Sequence, residues 1–382
     1  MKLFISAGEP SGDLHGANLA RALRERQAGT KVIGFGGPRM AAAGVEIVYP
    51  LCEHAVMGLT GALAAVPWLW SVYQRFARTL QEQRPDVVVL IDYPGFHWWL
   101  AYKARKLGVP VIWFVPPQIW AWATHRVKRM QRNVDHVLCT LPFEEAWYAE
   151  RGVKAHYLGH PFFDEVTSHR LDDGFIAEQR AQAGRVVALL PGSRSKEVKH
   201  NGPTLVNVAE KLSASVPDVR FLFACYKDTQ AEWVREMLAQ RNLPVAVHVG
   251  RTPEIIHLAH CCAAVSGSVS LELLYHNTPT VISYRVGRVL RRLVNYFKHS
   301  RYITLVNLLA EKELFPEYLT DRDESERIAA HLQQWLTDEP ARQQVKKELR
   351  ELLAQVGQPG ACERAAEFIS GSVVQASSRR AA

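Results

Sequence analysis

Short runs of Val, Ile, Leu and Phe, each long enough for one strand, alternate with segments of helical periodicity along most of this chain. Lys2 to Ser6, Val32 to Phe35, Val87 to Ile91, Val109 to Phe114 and His136 to Thr140 read as a first group of strands. Val186 to Leu190, Arg220 to Cys225, Val245 to Val249, Cys262 to Ser266 and Thr280 to Tyr284 read as a second group. Most of these runs are apolar at nearly every position rather than every other one, as strands covered on both faces must be. Strands separated by helices make βαβ units and hence parallel sheets. The alternation pauses between Leu158 and Gly184, where Gly159-His160-Pro161 leads into a polar, acidic stretch. The expected architecture is α/β: two doubly wound domains facing a cleft, over 1–165 and 185–345. A linker at 166–184 joins them, and a C-terminal helix and tail occupy 346–382. With 382 residues, each domain has enough chain to bury its own core.

Composition narrows the class. The chain is 48% hydrophobic and 22% charged, which excludes a disordered or low-complexity polypeptide. Its formal net charge of +8 favours an anionic partner without choosing among phosphorylated substrate, anionic lipid and nucleic acid. Cysteines at 52, 139, 225, 261, 262 and 362 form no CxxC pair, and no secretory leader opens the sequence, so a cytoplasmic, reducing setting is expected. Ala55 to Gln74 carries no formal charge and reaches the length of a membrane span, but Gly58, Gly61 and Pro67 interrupt it. After Pro67, Trp68, Leu69, Val72, Tyr73 and Phe76 share one helical face opposite Arg75 and Arg78. That face belongs either against a core or in a membrane interface.

In open parallel sheets ligands bind beyond the carboxyl ends of strands. The first strand is followed by Gly8-Glu9-Pro10-Ser11-Gly12-Asp13, a glycine-rich turn lacking the spelling of a dinucleotide or phosphate loop. Ser11 or Asp13 can cap the helix there or face the cleft, while Glu9 fits hydroxyl recognition or general-base chemistry. Asp92 follows the five apolar residues Val87 to Ile91 directly. It either caps the next helix or acts as a base whose pKa partial burial raises. Gln118 and Trp120, after the fourth strand, and His160, at the pause, are further cleft candidates. No nucleic-acid-binding module is spelled.

In the second half, Gly192-Ser193-Arg194 can hold a diphosphate through backbone N–H groups and a cation. Ser266-Gly267-Ser268 makes a second anion turn, and Glu272 one turn on can accept from ribose hydroxyls. From Leu273 to Ala310 there is no acidic residue, while Arg285, Arg288, Arg291, Arg292, Lys298 and Arg301 are cationic, as in a basic amphipathic helix that meets anionic headgroups. No metal site is spelled. Cys261-Cys262 reads as core, and Asp321-Arg322-Asp323 reads as a helix cap.

Gly8-Glu9-Pro10-Ser11-Gly12-Asp13, Ala55-Val56-Met57-Gly58, Ile91-Asp92-Tyr93-Pro94-Gly95-Phe96, Ile119-Trp120-Ala121-Trp122, Gly159-His160-Pro161, Leu190-Pro191-Gly192-Ser193-Arg194, Ser266-Gly267-Ser268 and Asn307-Leu308-Leu309 occur in this order. Together they resemble the lipid-A-disaccharide synthase family, from residue 1 to about residue 320. The resemblance implies two Rossmann-like domains of the GT-B type. It also implies an inverting glycosyltransferase, without metal or cofactor, that moves 2,3-diacylglucosamine from UDP to the 6-hydroxyl of 2,3-diacylglucosamine 1-phosphate. Asp92 then matches the family's base, Glu9 a second essential carboxylate, and Arg194 and Asn307 polar groups toward the donor. The setting implied is the cytoplasmic face of the inner membrane, with Trp68, Leu69, Val72 and Phe76 toward the lipid. A homodimer is compatible with it. The chain departs from the family in having Gly95 where a second acid is common, and Ala123 where an arginine follows Trp-Ala-Trp. A UDP-sugar 2-epimerase and a non-catalytic or divergent homologue are the competing readings.

Overall fold

The protein is described here by a computed structural model, over residues 1–56, 66–287, 291 and 301–381. The chain forms two units, Met1–Asp164 with Gln358–Ala382, and Glu165–Gly357. The first is built on β1 (Lys2–Ala7), β2 (Lys31–Phe35), β3 (Glu46–Tyr49), β4 (Val87–Ile91), β5 (Val111–Phe114), β6 (His136–Cys139) and β7 (Ala155–Tyr157). The second is built on β8 (Arg185–Leu190), β9 (Val219–Cys225), β10 (Val245–Val249), β11 (Cys261–Ala264), β12 (Thr280–Arg285) and β13 (Glu317–Thr320). The sheet orders are β3-β2-β1-β4-β5-β6-β7 and β10-β9-β8-β11-β12-β13, with every pairing parallel.

The two-sided burial inferred from the apolar runs is realised residue by residue. Leu3, Ile5, Val87, Val89 and Ile91 enter one core with the helix Pro10–Arg26. Phe4, Val88 and Leu90, their alternates, enter another with the helices Val66–Gln83 and Pro94–Lys106. The helix Ala361–Ala381 completes the first of these cores, where Cys362, Ala365, Ala366 and Ile369 are buried. The Asp164 carboxylate accepts from the N–H groups of Gly360, Ala361 and Cys362 at 2.6, 3.1 and 2.8 Å and so caps the start of that helix.

Three strands escape the sequence pattern: β3, β7 and β13. Each lies at an edge of its sheet, is four residues or fewer, and is only half-buried along most of its length. An edge strand has one neighbour and little apolar burial, so it lacks the continuous hydrophobic run that marks an interior strand. Residues 166–184, expected as a linker, carry the end of the helix Phe162–Ser168 and the helix Asp173–Ala181 of the second unit. The expected C-terminal segment 346–382 is divided: the helix Glu339–Val356 belongs to the second unit and Ala361–Ala381 to the first.

The proposed lipid-facing stripe is also corrected. Val72 and Phe76 are buried in the core of the first unit, and Trp68 and Leu69 are half-buried against it, Trp68 donating from Nε1 to the Tyr49 hydroxyl at 2.6 Å. Among the described residues of the first unit, the exposed aromatics are Trp70 on the same helix and Trp99 and Tyr102 on Pro94–Lys106. Positions 57–65, and 288–290 and 292–300 of the basic segment, lie outside the described residues. Among the described residues no helix is long and apolar enough to cross a membrane.

Candidate functional site

The first sheet changes direction of winding between β1 and β4, where Ala7 pairs beside Ile91. Connections on either side of such a point depart to opposite faces and leave a crevice at the strands' carboxyl ends. Glu9 and Asp92 stand there. Glu9 holds the position before the helix Pro10–Arg26 in extended backbone, and its carboxylate makes no capping bond to that helix.

The turn carrying Asp92 is unusual. Asp92, Tyr93 and Val115 have φ of +46°, +49° and +54°, the left-handed region that L residues avoid and β-branched ones most of all. Each such residue costs about 1–3 kcal/mol and persists only where its surroundings over-determine it. Here the Asp92 N–H donates to the Val115 carbonyl at 3.1 Å, and the Val115 N–H to the Leu138 carbonyl at 3.3 Å. The Tyr93 ring lies over Gly8: a Cβ on Gly8 would stand 2.2 Å from it, so the turn after β1 requires glycine. Burial, and then Glu9 and Cys52, push the Tyr93 hydroxyl up.

Three residues expected at the cleft are buried and make bonds within the fold. Asp13 is almost fully buried and accepts from the backbone N–H groups of Gly37, Arg39 and Met40, capping the helix Pro38–Ala42 rather than its own. Trp120 is buried and donates from Nε1 to Glu144. His160 is buried, accepts from the Phe162 N–H on Nδ1 at 3.2 Å, and is held near pKa 3 by burial and then His15. Ser11 is half-buried in the first turn of Pro10–Arg26, and Gln118 is exposed before the helix Ile119–Trp122.

Two residues that sequence reasoning passed over organise the same end of the sheet. His97 bridges Ser6 and the Asp92 carbonyl. Glu144 is buried, with its carboxyl raised to about 7 by burial against three hydrogen bonds that lower it. Glu144 reaches back from the first turn of the helix Pro142–Ala149 to the Thr140 and Leu141 N–H groups, but Leu141 has no side-chain acceptor, so no capping box was spelled to mark it. His97 had none beyond its aromatic neighbours Tyr93, Phe96, Trp98 and Trp99 in the chain.

In the second sheet the winding reverses between β8 and β11, with Leu190 beside Ala264. After β8, Gly192 has φ +101°, and a Cβ there would stand 2.5 Å from a Glu197 carboxylate oxygen. The Arg194 N–H donates to Glu197 at 3.1 Å, and its guanidinium, 64% exposed, lies 3.4 Å from the same carboxylate. Gln230, fully buried and missed by the sequence reading, donates to the Ser193 carbonyl at 2.9 Å and accepts from the Tyr226 N–H at 2.9 Å, pinning the turn after β8 to the turn after β9.

After β11, Ser266 donates through Oγ to the Ile303 carbonyl at 3.3 Å. Gly267 is exposed with open space beside it, and Ser268 precedes the helix Val269–Tyr275 without capping it. The Glu272 carboxyl is raised to about 7, by burial first and then by Glu254 and Glu165. A carboxyl poised near neutrality both donates to and accepts from hydroxyls. With an exposed arginine and two small-residue turns at one switch point, this end of the sheet suits a phosphorylated, hydroxyl-bearing ligand.

Asn307, expected toward the donor, is bonded within the fold. Fully buried, it donates to the Phe315 carbonyl at 2.7 Å and to Glu317 at 2.9 Å, and accepts from the N–H groups of Leu314 and Phe315, each at 2.8 Å. Both amide protons and both acceptor positions are used within the fold. Among the described residues no three His, Cys, Asp or Glu side chains are grouped to hold a metal.

A family model described as lipid-A-disaccharide synthetase matches residues 3–371. The lipid-A-disaccharide synthase of Myxococcus xanthus (strain DK1622) is 35% identical over 372 residues, covering 96% of each chain. Among solved structures, the UDP-GlcNAc 2-epimerase from Neisseria meningitidis bound to UDP-GlcNAc superposes with a TM-score of 0.65 at 12% identity, covering 98% of this chain and 100% of that one. The glycotransferase of kitacinnamycin superposes with a TM-score of 0.63 at 17% identity, covering 97% and 98%. At such identities these structures share the fold alone.

Proposed function

The chain belongs to the lipid-A-disaccharide synthase family, and from that premise we propose how its residues carry out one glycosyl transfer. The protein is a glycosyltransferase of lipid A biosynthesis that uses a UDP-sugar donor. It joins UDP-2,3-diacylglucosamine to 2,3-diacylglucosamine 1-phosphate and releases UDP. The epimerase likeness is one of fold and carries no claim on the reaction.

In our reading the second unit holds the donor. The turns Gly192-Ser193-Arg194 and Ser266-Gly267-Ser268 meet the diphosphate, and Glu272 meets the ribose hydroxyls. The first unit holds the acceptor beside Glu9, Ser11 and Gln118. Asp92 takes the proton from the acceptor's 6-hydroxyl, and that oxygen attacks the anomeric carbon from the face opposite UDP. The bond from the anomeric carbon to the diphosphate oxygen breaks with inversion. Its electron pair leaves on UDP, where Arg194 and backbone N–H groups offset the charge without a metal. One observation carries this reading: two carboxylates, Glu9 and Asp92, follow neighbouring strands at the switch point of the first sheet, one of them on a strained turn.

The reading also takes the protein to the cytoplasmic face of the inner membrane. Its anchor is a ridge of Trp70 stacked on Tyr73 at 5.3 Å, with Trp99, Tyr102, Lys103 and Lys106 following at one face of the neighbouring helix. Lys106 lies 4.7 Å over the Tyr102 ring. Aromatics beside lysines suit an interface with anionic lipid.

The test is UDP release by purified protein given the donor, with and without the acylated 1-phosphate acceptor, in detergent and without added metal. Acceptor-dependent release that drops about 100-fold or more in Asp92→Asn, with UDP affinity kept, is the expected result. Release by Asp92→Asn at the native rate sinks the assignment of the base.

A further inference from the structure

His97 sits in the helix Pro94–Lys106, fully buried, its ring edge-on to Tyr93 at 5.6 Å and to Trp113 at 6.1 Å. Its two nitrogens meet different partners. Nδ1 lies 2.7 Å from the backbone carbonyl of Asp92, and Nε2 lies 2.9 Å from Ser6 Oγ. A carbonyl only accepts, so Nδ1 carries the proton. Nε2 is then the acceptor and the Ser6 hydroxyl donates to it. Burial holds the ring near pKa 3, with the Asp92 carbonyl bond pulling weakly the other way, so the ring stays neutral at working pH.

The carbonyl it grips belongs to the left-handed residue at the end of β4, whose N–H is tied to Val115. Asp92 is thus held at both backbone ends, from β1 through Ser6 and His97 and from β5 through Val115. A strained conformation needs such over-determination, and the direction of the Asp92 side chain follows from its backbone.

We propose that His97 is a positioning residue for the transfer reaction: as a neutral Nδ1–H imidazole bridging Ser6 and the Asp92 carbonyl, it sets the left-handed turn that aims the Asp92 carboxylate at the acceptor hydroxyl. This rests on the reading of Asp92 as the base. His97 touches no substrate, and its effect falls on turnover rather than on donor binding.

His97→Phe keeps a flat ring and removes the bridge, whereas His97→Asn restores an N–H at the Nδ1 position while giving up the Ser6 bond. The expected outcome is a kcat lower by roughly 10- to 100-fold in His97→Phe with the donor KM unchanged, and recovery of most of that loss in His97→Asn. Each variant is first matched to the native protein in thermal midpoint and circular dichroism, and NMR of the native protein with 15N-labelled histidine is read alongside. A single protonated ring nitrogen at Nδ1, with no titration between about pH 5 and 8, supports the bridge. A proton on Nε2, or titration in that window, overturns it, as does a folded His97→Phe with native kcat. If His97→Phe does not fold, Ser6→Ala replaces it, with a smaller fall in kcat expected and none overturning the proposal. Asp92→Asn measured alongside separates the two claims: if it retains turnover the base assignment fails, and if it is inactive while His97→Phe turns over normally, only the positioning role fails.

Discussion

The indole Nε1 of Trp120 donates to Oε1 of the buried Glu144 at 3.0 Å, while Oε2 of the same carboxyl accepts from the Thr140 and Leu141 N–H groups, each at 3.1 Å. One side chain thereby ties the loop after β5 to the loop after β6. Tyr148 adds a bond from its hydroxyl to the Pro117 carbonyl at 3.3 Å. Glu144→Ala strands three buried donors, each worth about 1–3 kcal/mol, and should lower stability by about 3 kcal/mol or more. Urea denaturation checks this; a loss under about 0.5 kcal/mol would show that water replaces the carboxyl.

Arg194 and Asn307 were grouped toward the donor by family resemblance, but their surroundings separate them. Arg194→Ala should weaken UDP binding by roughly 10- to 100-fold, the worth of a charge-assisted bond, and leave the thermal midpoint nearly unchanged. Asn307→Ala should do the reverse, lowering stability by about 2–4 kcal/mol while the folded fraction binds UDP normally. Calorimetric titration and thermal melting of both variants decide it, and a stable Asn307→Ala with weakened UDP binding contradicts the structural role.

The proposed membrane ridge predicts a division among aromatic and aliphatic substitutions. Trp70→Ser with Trp99→Ser, at side chains 60% and 63% exposed, should move the protein off anionic vesicles without loss of fold. Val72→Ser or Phe76→Ser should instead unfold it, at about 2–5 kcal/mol each, because those positions fill the core. Vesicle sedimentation and circular dichroism give the two readouts. Full retention on vesicles by the double tryptophan variant rejects the ridge.

Acidification should destabilise the fold. In the first unit burial lowers His15 to about 4, and His97 and His160 to about 3, against an ordinary 6.5. Below about pH 6.5 the unfolded chain therefore binds protons at these three sites that the native state does not, and stability rises with pH. Glu144, raised to about 7 from an ordinary 4.5, works in the opposite sense between those values, leaving a net excess of histidines. In the second unit His276, lowered to about 4, and Glu272, raised to about 7, oppose each other. The denaturation midpoint should fall from pH 7 to pH 5, and fall more steeply in Glu144→Gln. A midpoint that holds or climbs on acidification would contradict these burial effects.

Interior strands such as Val87–Ile91 and Arg185–Leu190 were legible because burial on both faces demands apolar residues in succession. The small-residue turns after them were legible as well, and Gly8 under Tyr93 and Gly192 beside Glu197 add close approaches that only the fold reveals. So were Asp92 and Arg194 as chemically able groups at those ends. The ordered motifs carried the family.

Tertiary structure alone decided which polar residues are spent on the fold. Asp13, Trp120, His160 and Asn307 look like ligands in the chain, yet their partners come from residues brought near by folding, Gly37 for Asp13, Glu144 for Trp120 and Phe315 for Asn307 among them. Likewise the stripe through Val72 and Phe76 has the spacing of a surface-seeking helix and that of a core helix at once, and only the sheet beneath it assigns the face. The chain determines which groups can bond or be buried. Which of them are left for a substrate depends on which partners the packed fold supplies, because a buried polar group takes whatever satisfies it.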